Sequence, residues 1–183
     1  LSFGVLICLN AHGYVRSTRH NSQDVDVNWA WSRDDVPEVR VVKDWVRDRC
    51  FEFVCDFHED WESPGFYLYE MRRGAPLMGT DVVDAVERVC PLNLCDQIEG
   101  LSAVRGVVLN DEERANELRG EGIPIELYNG YTDHSLTVES PTERRMDVRV
   151  AAHMAALDVV VAAHLPPRTC LLYTSPSPRD RSL

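Results

Sequence analysis

The chain has 183 residues, of which 44% are hydrophobic, and a formal net charge of −11 at pH 7. This length is sufficient for one domain with a hydrophobic core. The acidic balance argues against binding to nucleic-acid phosphates, which requires clustered lysines and arginines, and it favours solubility without indicating a specific function.

The two ends of the chain predict that it is a piece of a longer protein. It begins without methionine in an apolar run, residues 3–9, which is too short to cross a membrane and lacks the basic flank and cleavage site of a signal peptide. We expect this run to be a buried strand, with part of the domain lost upstream. Residues 170–180, CLLYTSPSPRD, resemble residue for residue the translation of a transposase-adapter sequence used in DNA library preparation. The expected organisation is a partial domain at 1–169 and a non-native, disordered tail at 170–183.

In residues 1–58, patterns typical of strands alternate with patterns typical of helices. A turn at 10–13 follows the apolar run, and the polar residues after it are irregular. Pro37 and the spacing of the apolar residues that follow it predict a helix over 37–48. Aromatic and β-branched residues predict a strand over 51–57 that ends at His58.

The second half alternates in the same way. Its predicted elements are a strand at 66–70, a helix from a cap at Thr80 to about residue 89, loops and short helices at 91–122, strands at 125–128 and 135–139, and a helix at 143–165. This alternation predicts an α/β fold, with a mixed sheet covered by helices on both faces.

Residues 1–169 contain five cysteines, and an odd number argues against a disulfide framework. They are Cys8, Cys50, Cys55, Cys90 and Cys95. The last four form two C-x4-C pairs, but structural zinc sites usually have shorter spacings and turn-forming residues between the thiolates. We therefore expect ordinary buried thiols, with a four-thiolate zinc site as the alternative.

Four short segments stand out when they are taken in chain order. They are Asn10-Ala11-His12-Gly13 after a strand, Asp26-Val27-Asn28 with Arg19 nine residues before Asn28, Asp56-Phe57-His58 at a strand end, and Glu139 at the end of a threonine-containing strand. In this order and placement they resemble the zinc carboxypeptidase family. That family includes relatives of the succinylglutamate desuccinylase and aspartoacylase type, which cleave acyl groups from amino acids. The resemblance covers residues 5–165.

The resemblance implies a zinc cofactor and a role for each matching residue. His58 would be the last of three zinc ligands, and Glu139 the general base that takes a proton from metal-bound water. Arg19 would bind the substrate and stabilise the oxyanion, and Asn28 would bind the substrate's terminal carboxylate. Asp26 would orient a ligand histidine from the second coordination sphere.

Strand ends also predict a site without reference to any family. Functional groups in α/β sheets gather beyond the carboxyl ends of strands, and both His58 and Glu139 follow apolar strand runs. We therefore expect an imidazole and a carboxylate to face one point, where a hydrated metal would sit.

Several aromatic residues fit either a substrate cleft or the core, namely Trp61, Phe66, Tyr67 and Tyr69, while Tyr128 and Tyr131 are the candidates for the family's cleft tyrosine.

Two departures from the family pattern affect the expected activity. The first zinc motif of the family, histidine-x-x-glutamate, occurs nowhere in the 183 residues and would precede Leu1. With one ligand of three, the fragment itself is expected to bind zinc weakly or not at all and to be inactive. Trp29 stands where the family has a carboxylate-binding arginine, and an indole with one N–H cannot replace a bidentate guanidinium. The arginines that could substitute are Arg16, Arg33, Arg72 and Arg73.

Three functions fit these residues. The first is zinc-dependent hydrolysis of an amide adjacent to a free carboxylate in a peptide, as in a metallocarboxypeptidase. The second is N-acyl amino-acid deacylation, which Trp29 and the compact size favour. The third is a non-catalytic domain that kept the fold and lost the site. No nucleic-acid or membrane partner is expected, and the cytoplasm is the default compartment.

Overall fold

The computed structural model describes residues 2–109 and 116–165. These residues form an α/β fold around a mixed six-stranded sheet, as the sequence predicts. The predicted boundary at 169 and the tail at 170–183 lie outside the described residues. Among the described helices, none combines the length and the apolar character that a membrane span requires.

Helices and strands alternate irregularly along the chain. Helices α1 to α5 span, in order, Ala11–Arg16, Pro37–Val46, Gly79–Val86, Ile123–Tyr131 and Met146–His164, and a 3-10 helix spans Val27–Trp29. Strands β1 to β6 span, in order, Val54–Asp60, Tyr67–Arg72, Gln97–Ile98, Leu101–Val104, Val107–Val108 and His134–Pro141.

Strand β6 lies inside the sheet, between β1 and β2, in the spatial order β1-β6-β2-β5-β4-β3. It runs parallel to β1 and antiparallel to β2. Strands β2 and β5 are parallel, whereas β4 is antiparallel to both of its neighbours. Most residues of β6 are buried, so this strand is the centre of the layered structure.

Alternation along the strands directs side chains into two layers. One layer joins Leu68 of β2 and Leu136 and Val138 of β6 to helices α3 and α5. On the other face, buried side chains of α2, α4 and the 3-10 helix pack with Val54 of β1. Helices therefore cover both faces of the sheet, and this part of the prediction is confirmed.

Two helices are confirmed close to their predicted bounds. Helix α2 begins at Pro37, whose fixed φ suits a first helical turn, and it buries Val39, Val42 and Val46 along one face. Helix α5 buries small apolar residues at four-residue intervals, and this stripe faces α3 and β6. In both helices, the apolar residues whose spacing predicts the helix include the residues that are buried.

The apolar run at 3–9 is not a strand, contrary to the prediction. Residues 2–8 are exposed, and the run lies along helix α2. Gly4 is so close to the Trp45 ring that an added Cβ would be 2.3 Å from Cζ2. A strand needs a neighbour to pair with, and within the described residues no strand pairs with this run.

The segment before β6 is helical, whereas the sequence predicts a strand at 125–128. Helix α4 has Pro124 in its first turn, and Ile123 and Leu127, four residues apart, pack into the layer that α2 forms. Burial of this helical face outweighs the strand propensity of a few residues. The region 91–122, predicted as loops and short helices, also contains the short strands β3, β4 and β5.

The cysteines are free thiols in different environments. Cys90 is buried and Cys55 is half-buried, whereas Cys8, Cys50 and Cys95 are exposed. The prediction of ordinary buried thiols is therefore wrong for the three exposed residues. These lie in loops or in the run along α2, where no core layer covers them.

A Leu68→Ala substitution tests the core layer behind β2. Leu68 is fully buried, so the truncated side chain leaves a cavity, and we expect the free energy of unfolding to fall by about 2–5 kcal/mol. Leu77→Ala is the control, because Leu77 is 54% exposed, and its expected effect is within about 0.5 kcal/mol. Urea unfolding measures both variants, and equal effects would contradict this description of the core.

Candidate active site

His58 and Glu139 lie directly opposite each other on neighbouring strands. The register of β1 with β6 pairs these two residues, and paired residues point to the same face of a sheet. His58 Nδ1 is 3.9 Å from Glu139 Oε1, and both side chains are largely buried. His58 lies inside β1 and not after it, because β1 begins at Val54, later than predicted, and continues to Asp60.

Asp56 holds the His58 ring from the same strand. Side chains two residues apart share a strand face, and Asp56 Oδ2 lies 3.0 Å from His58 Nε2. Burial alone would lower the pKa of His58, but the charge and hydrogen bond of Asp56, together with the charge of Glu139, raise it to about 9. Near neutral pH the ring is therefore a cation, with Nε2 towards Asp56 and Nδ1 towards Glu139.

Glu139 is a carboxyl group that can exchange a proton near neutral pH. Burial, together with like-charge repulsion from the carboxylates of Asp60, Glu99 and Asp56, raises its pKa to about 7, against the opposing effect of the His58 cation. A pKa close to the working pH is what efficient general acid–base catalysis requires.

Two tyrosines of β2 complete the face on the other side of β6. Tyr67 is paired with Glu139 in the antiparallel register, and its hydroxyl donates to Asp60 Oδ2 at 3.0 Å. The Tyr69 hydroxyl donates to Glu99 Oε2 at 2.7 Å. Burial raises the pKa of both phenols, so both stay protonated as donors. Asp60 and Glu99 did not stand out in the sequence, and aromatic residues spaced like Tyr67 and Tyr69 are more often core than cleft. The β2–β6 pairing, which no local pattern encodes, is what brings Tyr67 opposite Glu139.

Arg19 is held at the rim of this cluster by Asp26. Its Nε donates to Asp26 Oδ2 at 2.6 Å, and its backbone carbonyl accepts from Asn10 Nδ2 at 3.0 Å. The hydrogen bond with Asp26 raises the pKa of Arg19, and the charges of Glu139 and Glu99 raise it further. The guanidinium is therefore a permanent positive charge within electrostatic reach of Glu139.

The segment Asn10 to Gly13 starts helix α1 and does not form an isolated turn, because Asn10 caps the helix. Asn10 Oδ1 accepts from the backbone N–H of Gly13 at 2.9 Å. An added Cβ on Gly13 would lie 2.4 Å from Asn10 Nδ2 and from the Thr18 carbonyl oxygen, so only glycine fits there. This cap also positions the Asn10 amide that binds the backbone of Arg19.

Asp26 uses both carboxylate oxygens within the described residues. Oδ2 binds Arg19, and Oδ1 accepts from the backbone N–H of Asn28 at 3.1 Å, which caps the 3-10 helix. Asn28 is half-buried in that helix, and Trp29 is 43% exposed and lies against Gly122. The roles predicted for Asp26 and Asn28 towards a ligand histidine and a substrate carboxylate stay predictions.

The arginines considered as replacements at the Trp29 position have other partners or lie at the surface. Arg33 binds Asp35 in an exposed ion pair. The guanidinium of Arg72 donates to a backbone carbonyl, and that of Arg73 stacks 3.9 Å from the ring of Tyr128. Arg16 is exposed at the end of α1. None of these contacts brings a guanidinium to Glu139.

The donors present do not make a metal site by themselves. Across residues 2–109 and 116–165, no group of three or more histidine, cysteine, aspartate or glutamate side chains could hold an ion. His58 can offer one ring nitrogen, Nδ1, once that nitrogen has released its proton, because Nε2 faces Asp56. One imidazole is too few for a catalytic zinc, which takes three protein ligands.

Comparison with solved structures shows the fold. No protein-family model and no curated protein matches the chain. Three crystal structures of proteins named "putative metallopeptidase" are similar to it, from Shewanella baltica (TM-score 0.69, 19% identity), Shewanella denitrificans (0.70, 18%) and Shewanella amazonensis (0.68, 18%). Each alignment covers 85% of this chain and, respectively, 60%, 58% and 61% of the neighbour. The chain thus spans about three-fifths of the length of these structures.

An Asp56→Asn substitution tests the contact that holds the His58 ring. The raised pKa of His58 stabilises the fold below about pH 6.5, and this contribution is lost as pH rises through about 9. Without the Asp56 charge, burial dominates, and we expect the pKa of His58 to fall towards or below its ordinary value of about 6.5. An NMR pH titration of the imidazole signals measures it.

His153 is the internal control in the same spectra. Burial lowers the pKa of His153, and the charges that act on it come from Glu59, His58 and Arg149, with no contribution from Asp56. Since a neutral His58 no longer lowers the pKa of His153, that pKa is expected to rise slightly while the pKa of His58 falls. An unchanged His58 pKa in the Asp56→Asn variant would mean that Asp56 does not hold the ring.

Proposed function

We propose that this chain carries part of the catalytic domain of a metal-dependent amide hydrolase of the metallocarboxypeptidase type. The proposed reaction is hydrolysis of an amide adjacent to a free carboxylate. The observation that carries the proposal is the pairing of His58 with Glu139 across β1 and β6, with Nδ1 and Oε1 3.9 Å apart. The pKa of about 7 at Glu139 supports it, because that group can both take and return a proton near neutral pH.

Each residue of the cluster has a distinct part in the proposed reaction. Glu139 would accept the proton of the attacking water on Oε1 and later deliver it to the departing amine. His58 would release its Nδ1 proton when a metal binds and would contribute one ligand through that nitrogen, and a bound zinc would lower the pKa of its water to about 7. Arg19, held by Asp26, would supply positive charge to the oxyanion, and Asn28 would bind the substrate carboxylate.

Since the described residues hold no group of three metal donors, the proposal places the remaining metal ligands in an upstream segment of a longer protein. A histidine-x-x-glutamate motif upstream in the longer protein would supply two, which is consistent with a chain that covers about three-fifths of its structural neighbours. With His58 as the one imidazole of the proposed site, the 183-residue chain itself is expected to be inactive.

N-acyl amino-acid deacylation is the alternative substrate class. Trp29 favours it, because the half-exposed indole stands where the resemblance expects an arginine that binds a terminal carboxylate. Assay of the longer protein on C-terminal peptides and on N-acyl amino acids separates the two substrate classes. A longer reading frame with neither histidine-x-x-glutamate nor another ligand pair would leave the third possibility, a non-catalytic domain.

A Glu139→Gln substitution in the longer protein tests the general base. Glutamine keeps the size of the side chain but cannot accept the proton, so we expect turnover to fall by at least ~100-fold while the metal content is unchanged. Glu143→Gln is the matched control, because Glu143 is exposed four residues further along the chain, and full turnover is expected. Wild-type turnover in Glu139→Gln would remove Glu139 from the mechanism.

Zinc retention by the 183-residue chain tests the count of ligands. After incubation with zinc and gel filtration, we expect less than one equivalent of zinc per chain, because one imidazole cannot hold the ion against dilution. The longer protein is expected to retain one equivalent. Stoichiometric zinc on the short chain, lost in a His58→Gln variant, would contradict the need for upstream ligands.

A further inference from the structure

A continuous chain of hydrogen-bonded titratable groups lies on the face of the sheet opposite the candidate active site. Glu70 Oε1 of β2 is 2.9 Å from His134 Nε2 of β6, and His134 Nδ1 is 3.2 Å from His164 Nε2 of α5. The chain ends at the carbonyl oxygen of Val160, 2.7 Å from His164 Nδ1. The side chains of His134 and Glu70 are 3% and 1% exposed, so these contacts are inside the core layer.

The Val160 carbonyl fixes the direction of every hydrogen bond in this chain. A carbonyl oxygen only accepts, so His164 carries a proton on Nδ1, and a neutral His164 then presents a lone pair on Nε2. His134 must therefore donate from Nδ1, and a neutral His134 in turn presents a lone pair on Nε2. If Glu70 were ionised, two acceptors would face each other at 2.9 Å with no proton between them.

Helix α3 fixes the position of the Glu70 carboxyl group, at the other end of the hydrogen-bonded chain. The backbone N–H groups of Met78 and Gly79 donate to Glu70 Oε2 at 2.8 and 2.6 Å, so the carboxyl group caps this helix in place of Thr80, the predicted cap. Oε1 is left to meet His134. These two backbone donors and the helix N-terminus would also stabilise a carboxylate, so burial is not the reason for an extra proton. The extra proton is required by the hydrogen-bond directions, which leave Oε1 and His134 Nε2 facing each other.

We propose that Glu70, His134 and His164 form a buried relay that shares one proton beyond those of two neutral imidazoles, and that this proton locks helices α3 and α5 onto the sheet. The shared proton makes the relay uncharged as a whole. It can lie on Glu70 Oε1, on His134 Nε2 or, by transfer across the 3.2 Å contact, on His164 Nε2, and each placement satisfies all the contacts. His164 is half-buried and is the point of exchange with solvent.

Other charged groups on the surrounding elements are directed elsewhere. Arg72, which is paired with His134 in the β2–β6 register, donates its guanidinium to the Pro76 carbonyl. Asp81 in the first turn of α3 and Asp158 on α5 are exposed. The ring of Phe53 covers His164 on one side, with ring centroids 4.9 Å apart. The extra proton within the relay therefore balances the negative charge of Glu70.

The relay makes the stability of the fold depend on pH. Above about pH 6.5 an unfolded chain has an ionised Glu70 and neutral histidines, so the folded protein binds one proton more than the unfolded one. Stability therefore falls as pH rises from about 6.5 to the pH at which the folded relay loses its proton. In that range the unfolding equilibrium constant is expected to increase by up to about tenfold per pH unit.

A Glu70→Gln substitution separates the proton from the packing. The glutamine amide can donate one N–H to His134 Nε2 while its oxygen accepts from α3, so the contacts persist without the shared proton. We expect urea unfolding between about pH 6.5 and 9 to show a pH dependence smaller by about one proton than that of the wild type. His153→Gln, on the same helix as His164, is the control and is expected to keep the wild-type dependence. Equal dependence in Glu70→Gln and the wild type overturns the proposal.

NMR of the wild type at about pH 8 decides the matter if the variant does not fold. Nitrogen chemical shifts report which ring nitrogens carry protons, and the carbon shift of the Glu70 carboxyl reports its ionisation. We expect one shared proton, seen as one imidazolium among His134 and His164 or as a protonated Glu70. Two neutral rings beside an ionised Glu70, or two imidazolium rings, overturn the proposal.

Discussion

The pairing of β1 with β6 is the contact on which the candidate active site depends. Side chains on a strand alternate between faces, so a slip of one residue in this register would send either His58 or Glu139 to the opposite side of the sheet. The register is held from behind, where Leu136 and Val138 of β6 are fully buried against α3 and α5. Packing on one face of the sheet thus determines which side chains lie opposite each other on the other face.

The face of the sheet that carries His58 and Glu139, here called the front face, has several carboxylates and few positive charges. Such an arrangement costs free energy unless each charge has a hydrogen-bond or ionic partner. Here each partner is identifiable: a phenol donates to Asp60 and another to Glu99, and His58 lies against Asp56. Glu139 is the carboxyl group whose pKa burial raises most clearly, and it has no hydrogen-bond donor of this kind among the described residues. That difference makes Glu139 the candidate reactive carboxyl group of this face.

The sequence predicts the elements whose patterns are local and strong. Helices α2 and α5 follow from their apolar spacing, and β6 from its run of strand formers before Pro141, whereas α4 and the run at 3–9 depend on what packs or pairs with them. The same distinction applies to the site. Short motifs single out His58 and Glu139, but Tyr67 reaches Glu139 only through a strand pairing that no local pattern encodes. The relay through His134 is a further case, since its members come from two strands and a helix.

Strand β1 ends the sheet on one side, with β6 as its neighbour among the described residues. A strand placed along its outer edge would lie about 4.8 Å away. Side chains of that strand on the front face would flank the His58 imidazole as Glu139 does from β6. Donors on such a strand would meet an imidazole whose position the β1–β6 pairing already sets, and the pairing of β6 with β2 would not have to change.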